Sequence, residues 1–586
     1  MTIIDWGFVA LYILISLGIG LYFKNYAGKN IEEYFIKGRN LSWWLIGFSA
    51  VAAYTDAGIA PAITMWVYTG GLLGNGVWWI PFIVWMPLSA VLWSKYWRRL
   101  KTLTSAELIE IRYSGKAAGI YRGIYAFLIG FVFTVLLMGY VSGWMTDALG
   151  PIIGWTPFNL IFYAALATVV YTTLAGQYGV VYGDLFQFLI FFIGNAIFIP
   201  ILLTHVGGMS HVYSGIEALR GSSAKEFFNV LPPTNTLTGI TIFAFVIQGM
   251  FFAASPTGGE GFTAQRFMAA KNEFHAQIGQ LFNTMLTLII RVVPFIFTGM
   301  IAAAIFAPHT IADPGKLWAM LIHKFSPVGL TGVIVAGIFA AYMSTISTEM
   351  NMGSAYLIND LYKRFIKKEA SDKHYVFAAR TASVLLFALS LLVAYYLIKG
   401  MESWFLFINS VVFAFILPLS WLRFFWWRLN IYGEASALIV GLPLGYIVWF
   451  PLGFSKLPFW EGFLLLFGLG WIVIVTVTLL TQPEKLETLK NFYSLCKPPG
   501  LWSPVTKEFS NIDKRKIRKE TIDDIIDSVI AIIVCAMVIL VVISLFGRNY
   551  TVFGYALLIL IISGTSFIIR WKRKGIFTGL RNNVGE

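Results

Sequence analysis

Gly337 to Asp360 reads GIFAAYMSTISTEMNMGSAYLIND. At 3.6 residues per turn, Ala341, Ser344, Thr345, Ser347 and Thr348 fall within an arc of about 160° on one helix face, so their hydroxyls look the same way. Such a face is wet or liganded. Hydroxyl oxygens are hard, neutral ligands, and with a few backbone carbonyls they suit an alkali cation that must be released again. Ser and Thr in a membrane helix also bond back to the carbonyl four residues earlier, or join two helices, and the face alone leaves those readings open.

The chain around this helix has 586 residues, 58% hydrophobic and 12% charged, with mean hydropathy +0.74. No water-soluble globular protein of this length has that composition; the fold class is an all-α polytopic membrane protein in contact with the lipid bilayer. A net charge of +14 would suit nucleic acid, but Lys and Arg sit in the short segments between apolar runs, which is membrane topology and leaves no nucleic-acid partner. Cys496 and Cys535 have no metal spacing and read as free thiols, Cys496 in a polar loop. The first apolar run, Phe8 to Phe23, has Asp5 before it in place of a basic cluster and no small-residue cleavage site after it, so it reads as a retained helix. Aromatic pairs at run ends, such as Trp43-Trp44, fit interfacial belts.

Runs long enough to cross about 30 Å of hydrocarbon lie near 5–23, 43–70, 77–95, 118–147, 157–175, 183–205, 237–255, 277–307, 327–350, 376–398, 403–421, 434–453, 459–480, 526–546 and 551–571, about 15 transmembrane helices in all. Basic clusters fall in alternate connections, which predicts an outside N-terminus and a cytoplasmic C-terminus in the inner membrane. Two spans are interrupted: one by Tyr54, Thr55, Asp56, Gly58 and Pro61, another by Ser255 to Gly261. If the first helix is peripheral, these are the first and sixth helices of a ten-helix unit. Interrupted helices at equivalent places in two five-helix halves point to an inverted-repeat secondary transporter. Asp56 is expensive in an apolar span and marks a pathway or an ion site. Asp184 stands at the mouth of the run 183–205, where it either caps the helix beginning at Leu185 or holds a cation. The chain divides into a peripheral helix and loop (1–42), a ten-helix transport core (43–425), two further helices (426–480), a polar stretch with too few apolar residues for a core (481–525), and two last helices with a basic tail (526–586).

Several motifs in order resemble the sodium:solute symporter family of LeuT-type inverted-repeat transporters, over about residues 5 to 450. They are Tyr34-Phe-Ile-Lys-Gly-Arg39 with Leu41-Ser-Trp-Trp44 and Ser49-Ala-Val-Ala-Ala53, Thr104-Ser-Ala-Glu107 with Ile111-Arg112-Tyr113, Tyr171-Thr-Thr-Leu-Ala-Gly176 with Tyr182-Gly-Asp184, Gln265-Arg266 with Ala269-Ala-Lys271, and Ala341 to Thr348. The resemblance implies a LeuT-type 5+5 repeat with additional N- and C-terminal helices, and Na+ as the coupling ion. It implies a first sodium site from the carbonyls of Ala52, Thr55 and Ala341 and the side chains of Ser344 and Thr345. It implies a second from Asp184, Ser347 and Thr348 with Ser344.

Against the sugar-transporting relatives, 75–94 has no acidic residue, Ile59 falls near their glutamine, and Glu260 replaces their asparagine. Asp56 and Glu260, with Trp66 or Phe262 as an aromatic wall, favour an amino acid or other nitrogenous solute slightly over sugar. Arg291 resembles a basic residue of the sugar carriers, or pairs with Glu260 or Asp56 and leaves the cavity neutral. The expected function is sodium-coupled import of a small organic solute by alternating access; the alternatives are a solute sensor or scaffold without net transport, and a proton-coupled symporter. No nucleotide-binding signature, metal-ligand cluster or nucleophile–base pair supports an enzyme.

Overall fold

The computed structural model describes residues 1–253, 261–396, 415–507 and 511–577. Ten helices among them are long and apolar enough to cross a membrane. In chain order the elements used below are α1 (Ile3–Ala27), α2 (Trp43–Ala53), α3 (Ile59–Gly70), α4 (Gly76–Leu88), α5 (Gly115–Ile153), α6 (Pro157–Val206), α7 (Thr236–Phe252), α8 (Gly261–Met268), α9 (Glu273–Ile305), α10 (Leu330–Ile366), α11 (Asp372–Tyr396), α12 (Leu417–Phe425), α13 (Ile431–Trp449), α14 (Phe459–Leu480), α15 (Leu486–Cys496), α16 (Asn511–Phe546) and α17 (Tyr550–Arg573). Most of the run expected at 403–421 lies outside the described residues.

The helix with the hydroxyl face is the axis of the molecule. In its most apolar window 83% of α10 is buried inside the protein, against 6% for α17, which lies at the periphery. Its N-terminus is fixed by α1. Thr2 and Asp5 form a capping box at the start of α1, and the other oxygen of Asp5 accepts from the backbone N–H groups of Gly329 and Gly332 at 2.8 and 3.0 Å. One carboxylate thus serves orphan donors of two helices. Gly332 permits the approach, since a Cβ there would lie 2.4 Å from the Asp5 carbonyl oxygen.

The expected interruption is present between α2 and α3, where Tyr54 to Gly58 leave the helix. Pro61 falls in the first turn of α3, where its missing N–H removes no helical bond. The second interruption expected at Ser255 to Gly261 falls between α7 and α8, where residues 254–260 lie outside the described residues; α8 begins at Gly261 with φ +56°.

Two local expectations change. Residues 157–175 and 183–205 are parts of α6, broken at Gly176 alone (φ 49°, ψ −143°), where a side chain would strike Tyr34. Asp184 therefore lies about two turns inside a helix, so it does not cap one at Leu185. The polar stretch after 480 is also packed. Phe492, Tyr493, Cys496 and Trp502 are buried, and the Arg112 guanidinium lies 5.1, 5.5 and 5.1 Å from the rings of Tyr113, Phe492 and Trp502. A few large aromatic rings are enough to seat the segment, because each covers much surface and attracts a cation on its face. Its charged end begins α16 and pairs with α4's continuation, Lys95 meeting Glu520 at 2.8 Å and also Asp524.

Replacing Asp5 by Ala removes both caps. The expected loss is about 1–2 kcal/mol, read as a lower midpoint of thermal unfolding in detergent, with Asp5→Asn intermediate; an unchanged midpoint for the Ala variant would refute the double cap.

Candidate functional site

The polar centre of the protein forms around Asp184, which is fully buried. Ser344 of α10 donates to its Oδ1 at 2.6 Å, and Ser49 of α2 donates to its Oδ2 at 2.5 Å. Arg266 of α8 reaches Oδ2 at 3.2 Å through Nη2. The same guanidinium donates to the Ser49 hydroxyl (2.9 Å), the Ser49 carbonyl (3.1 Å), Thr348 Oγ1 (3.1 Å) and the Phe262 carbonyl (3.2 Å). Four helices are thereby tied by one ion pair. A buried charge is tolerated only when paired and hydrogen-bonded, and both ions here meet that condition.

Beside this pair lies the break between α2 and α3. Thr345 Oγ1 is 3.1 Å from the Ala53 carbonyl and 3.3 Å from the Ala341 carbonyl. One hydroxyl proton can serve one carbonyl at a time, so three oxygens face each other with a single donor among them. The donor set fits an alkali cation. The carbonyl that meets Thr345 belongs to Ala53; that of Ala52, the residue expected there, accepts the Thr55 N–H at 3.0 Å, because the last turn of α2 tightens before the chain leaves it. The Thr55 hydroxyl donates to Val51 O at 2.5 Å.

Of the second expected set, Asp184, Ser344 and Thr348 converge on or around Arg266. Ser347 is turned aside, donating to the Ser344 carbonyl at 3.0 Å and accepting from Tyr171 of α6 at 3.2 Å. The gap between Asp184 and Thr348 is spanned by the arginine itself.

Of the residues expected to meet solute, Asp56 accepts from Gly58 N at 2.8 Å within the break, and Arg291 of α9 donates to the Tyr54 carbonyl of the same break. Ile59 is buried at the start of α3. Phe262 packs on Tyr54 with ring centroids 4.8 Å apart, and Tyr54 also touches the rings of Trp85 (5.6 Å) and Phe82 (6.3 Å). Trp66 lies seven residues on along α3, about two turns from the break, and is not brought to it. Glu260 lies outside the described residues. Sequence reasoning gave no role to Arg266, Ser49 or Tyr54, although all three stand inside or next to quoted motifs; an arginine followed directly by the apolar run Phe267 to Ala270 was the available signal.

A profile of the Sodium:solute symporter family matches residues 34–441. The chain is 26% identical over 514 residues to the sodium/glucose cotransporter of Vibrio parahaemolyticus, covering 82% of this chain and 91% of that protein. It is 26% identical over 485 residues to the high-affinity proline transporter PutP of Bacillus subtilis, covering 80% and 97%. It is 25% identical over 415 residues to the sodium/sialic acid symporter NanT of Aliivibrio fischeri, covering 68% and 77%. A solved structure of a Na+-coupled sialic acid symporter, substrate-bound and outward-open, superposes with a TM-score of 0.68 at 22% identity, covering 83% of this chain and 99% of that one, a likeness of fold. With its LeuT-type helical core, the break between α2 and α3 and a match over most of its length, the chain belongs to the sodium:solute symporter family, whose coupling ion is sodium.

Proposed function

We propose that this protein imports a small zwitterionic or otherwise nitrogenous solute across the cytoplasmic membrane, with its N-terminus outside and C-terminus inside, driven by two sodium ions. The observation that carries the reading is the meeting of Thr345 Oγ1 with the Ala53 and Ala341 carbonyls at the α2/α3 break, next to a buried Asp184. Sodium bound there bridges α2 and α10, so that the shape of the unwound Tyr54 to Gly58 segment depends on the ion. Solute bound at that segment then senses sodium through the backbone. Thr55, Ser344 and Thr345 belong to this first position; Asp184, Ser344 and Thr348, with Ser347, belong to the second.

The solute class is supported by charge. Asp56, on the Gly58 N–H, and Arg291, on the Tyr54 carbonyl, both stand at the break, so a solute there meets both signs, as an amino acid's ammonium and carboxylate require. The segment 75–94 offers a sugar no carboxylate. Tyr54, Phe82, Trp85 and Phe262 supply an apolar wall. The relatives named above carry glucose, proline and sialic acid, of which the last two bear a carboxylate and nitrogen.

Energetics make the stoichiometry consequential. A membrane potential of about 100 mV contributes ~2.3 kcal/mol per sodium, which supports roughly 40-fold solute accumulation per ion. Two ions square that factor.

In proteoliposomes, Thr345→Ala is expected to abolish sodium-dependent uptake while Thr345→Ser retains it; sodium-driven uptake by the Ala variant would remove the first position. Asp184→Asn is expected to lower the sodium Hill coefficient of uptake from near two to near one, and an unchanged coefficient would remove the second. For the solute, thermal unfolding is followed with sugars, amino acids, carboxylates and quaternary amines. An amino acid should raise the midpoint only when sodium is present; stabilisation by a neutral sugar alone would overturn the solute class.

A further inference from the structure

On the flank of the molecule α5, α10 and α11 enclose a seam that the ion and solute positions do not use. Both α5 and α10 depart from regular α winding there, since Leu128–Phe133 and Tyr356–Ile366 are π-helical. Three cavities follow one another along the seam. The first, of about 520 Å³, is lined by Arg122, Asn359, Lys363, Arg364, Phe365 and Lys368. The second, of about 450 Å³, starts at the same Phe365 and runs between Ile120, Ile124 and Phe127 of α5 and Leu361 of α10. The third, of about 530 Å³, continues at Phe131 and Leu357, one turn further along each helix, and reaches Leu385 and Leu389 of α11. The rings of Phe127 and Phe131 stack with centroids 5.1 Å apart, so the apolar surface passes from the second cavity into the third.

The chemistry changes along this path from basic to apolar. In the first cavity the arginines already have partners: Arg122 donates to Asp360 and to Glu110, at 2.7 Å each, and Arg364 also pairs with Glu110. Lys363 and Lys368 form no ion pair among the described residues. The Lys363 ammonium rests 5.3 Å from the centre of the Tyr375 ring, and Lys368 is exposed. Two cations are therefore open to an incoming anion without loss of an existing pair. Beyond Phe365 the walls are hydrocarbon, and Ile120, Ile124, Phe127 and Leu385 are exposed along them. Because α5 begins and α10 ends at the basic cavity, depth in the bilayer increases from Ile120 to Phe131. Eleven helical rises are about 16 Å, close to half of the ~30 Å hydrocarbon thickness.

We propose that this seam binds one anionic glycerophospholipid, its phosphate on Lys363 and Lys368 and an acyl chain in the groove from Ile120 to Phe131. A cationic pocket beside membrane helices attracts an anionic head group, and a groove one leaflet deep suits the chain attached to it. A free phosphate would leave the two apolar cavities unfilled. The lipid lies against the end of α10, the helix whose other half carries the hydroxyl face, and fills the space between that end and its neighbours α5 and α11.

The test is native mass spectrometry of the purified, delipidated full-length protein in detergent, titrated with phosphatidylglycerol or with phosphatidylcholine of the same acyl chains. One phosphatidylglycerol is expected to saturate ahead of any other, and phosphatidylcholine should show no such first adduct. Lys363→Gln combined with Lys368→Gln should weaken that adduct about 30-fold, the loss expected for two interfacial lysines. Lys516→Gln combined with Lys519→Gln, which removes the same charge from exposed positions of α16, should leave it unchanged. Ile124→Trp fills the groove while keeping every charge, and should weaken the adduct about 10-fold, as for two methylenes left unburied. Equal first adducts for the two lipids would overturn the proposal, as would equal weakening by the two lysine pairs, which would mean diffuse attraction. A first adduct that inorganic phosphate displaces at the lipid's own concentration would make the seam a pocket for free anions and overturn it too. So would a dimer that disappears in Ile124→Trp, since a second copy would then occupy the groove. Should Ile124→Trp not yield folded protein, the comparison of the two lipids on the wild type and of the two lysine pairs decides alone.

Discussion

The ion pair between Asp184 and Arg266 is the constraint on which the rest of the core depends. Placing either charge in the interior of a membrane protein is unfavourable by several kcal/mol before compensation. Compensation here comes from hydroxyls and carbonyls on other helices, Ser49, Ser344, Thr348 and the Phe262 carbonyl. Those partners must be near, so α2, α6, α8 and α10 must be near. Lipid chains solvate Leu as well as protein does and supply little drive for helices to associate. A buried polar cluster supplies what hydrophobic burial cannot.

The same cluster explains why the broken helices can exist. Leaving the helix at Tyr54 frees backbone groups that hydrocarbon would not satisfy. They are satisfied locally: Thr55 N by Ala52 O, Gly58 N by Asp56, the Ala53 carbonyl by Thr345 and the Tyr54 carbonyl by Arg291. Thr345 and Arg291 arrive from α10 and α9, so the break is held open from outside its own chain segment. An ion or solute that replaces one of these partners exchanges one satisfied arrangement for another, at a small net cost.

Much of this was legible in the residues. The hydroxyl face of α10 shows in the spacing of Ser344, Thr345, Ser347 and Thr348, and the first break in a run of Thr55, Asp56, Gly58 and Pro61 that no plain membrane helix would contain. What escaped has specific causes. Asp184 looked like a helix mouth because Gly176 and Tyr182-Gly-Asp184 lower the local hydropathy, whereas α6 continues through them with one bend. Ser347 shares the face by angle, yet its hydroxyl bonds to Tyr171 of a neighbouring helix, and helical periodicity carries no information about rotamers. The packing of 485–505 rests on a few large side chains, with Phe492 and Trp502 over Arg112, too few to move a composition average. Arg266 was passed over because a single charge in a membrane sequence can be read as a run end until its depth is known.

Depth also explains how the site reconciles firmness with exchange. A cluster with equal numbers of opposite charges would be a lock, since every displacement would separate ions in a low-dielectric interior. The pair of Asp184 and Arg266 is softened by the neutral hydroxyls around it. The hydroxyls of Ser49, Ser344 and Thr348 can turn to donate or accept when a partner moves. The barrier to rearrangement is then set by side-chain displacements on α2, α6, α8 and α10 and by the rotation of hydroxyls. Helix packing elsewhere is close, as at Gly332 and Gly176, and leaves this polar centre as the place where partners can be exchanged by turning hydroxyls.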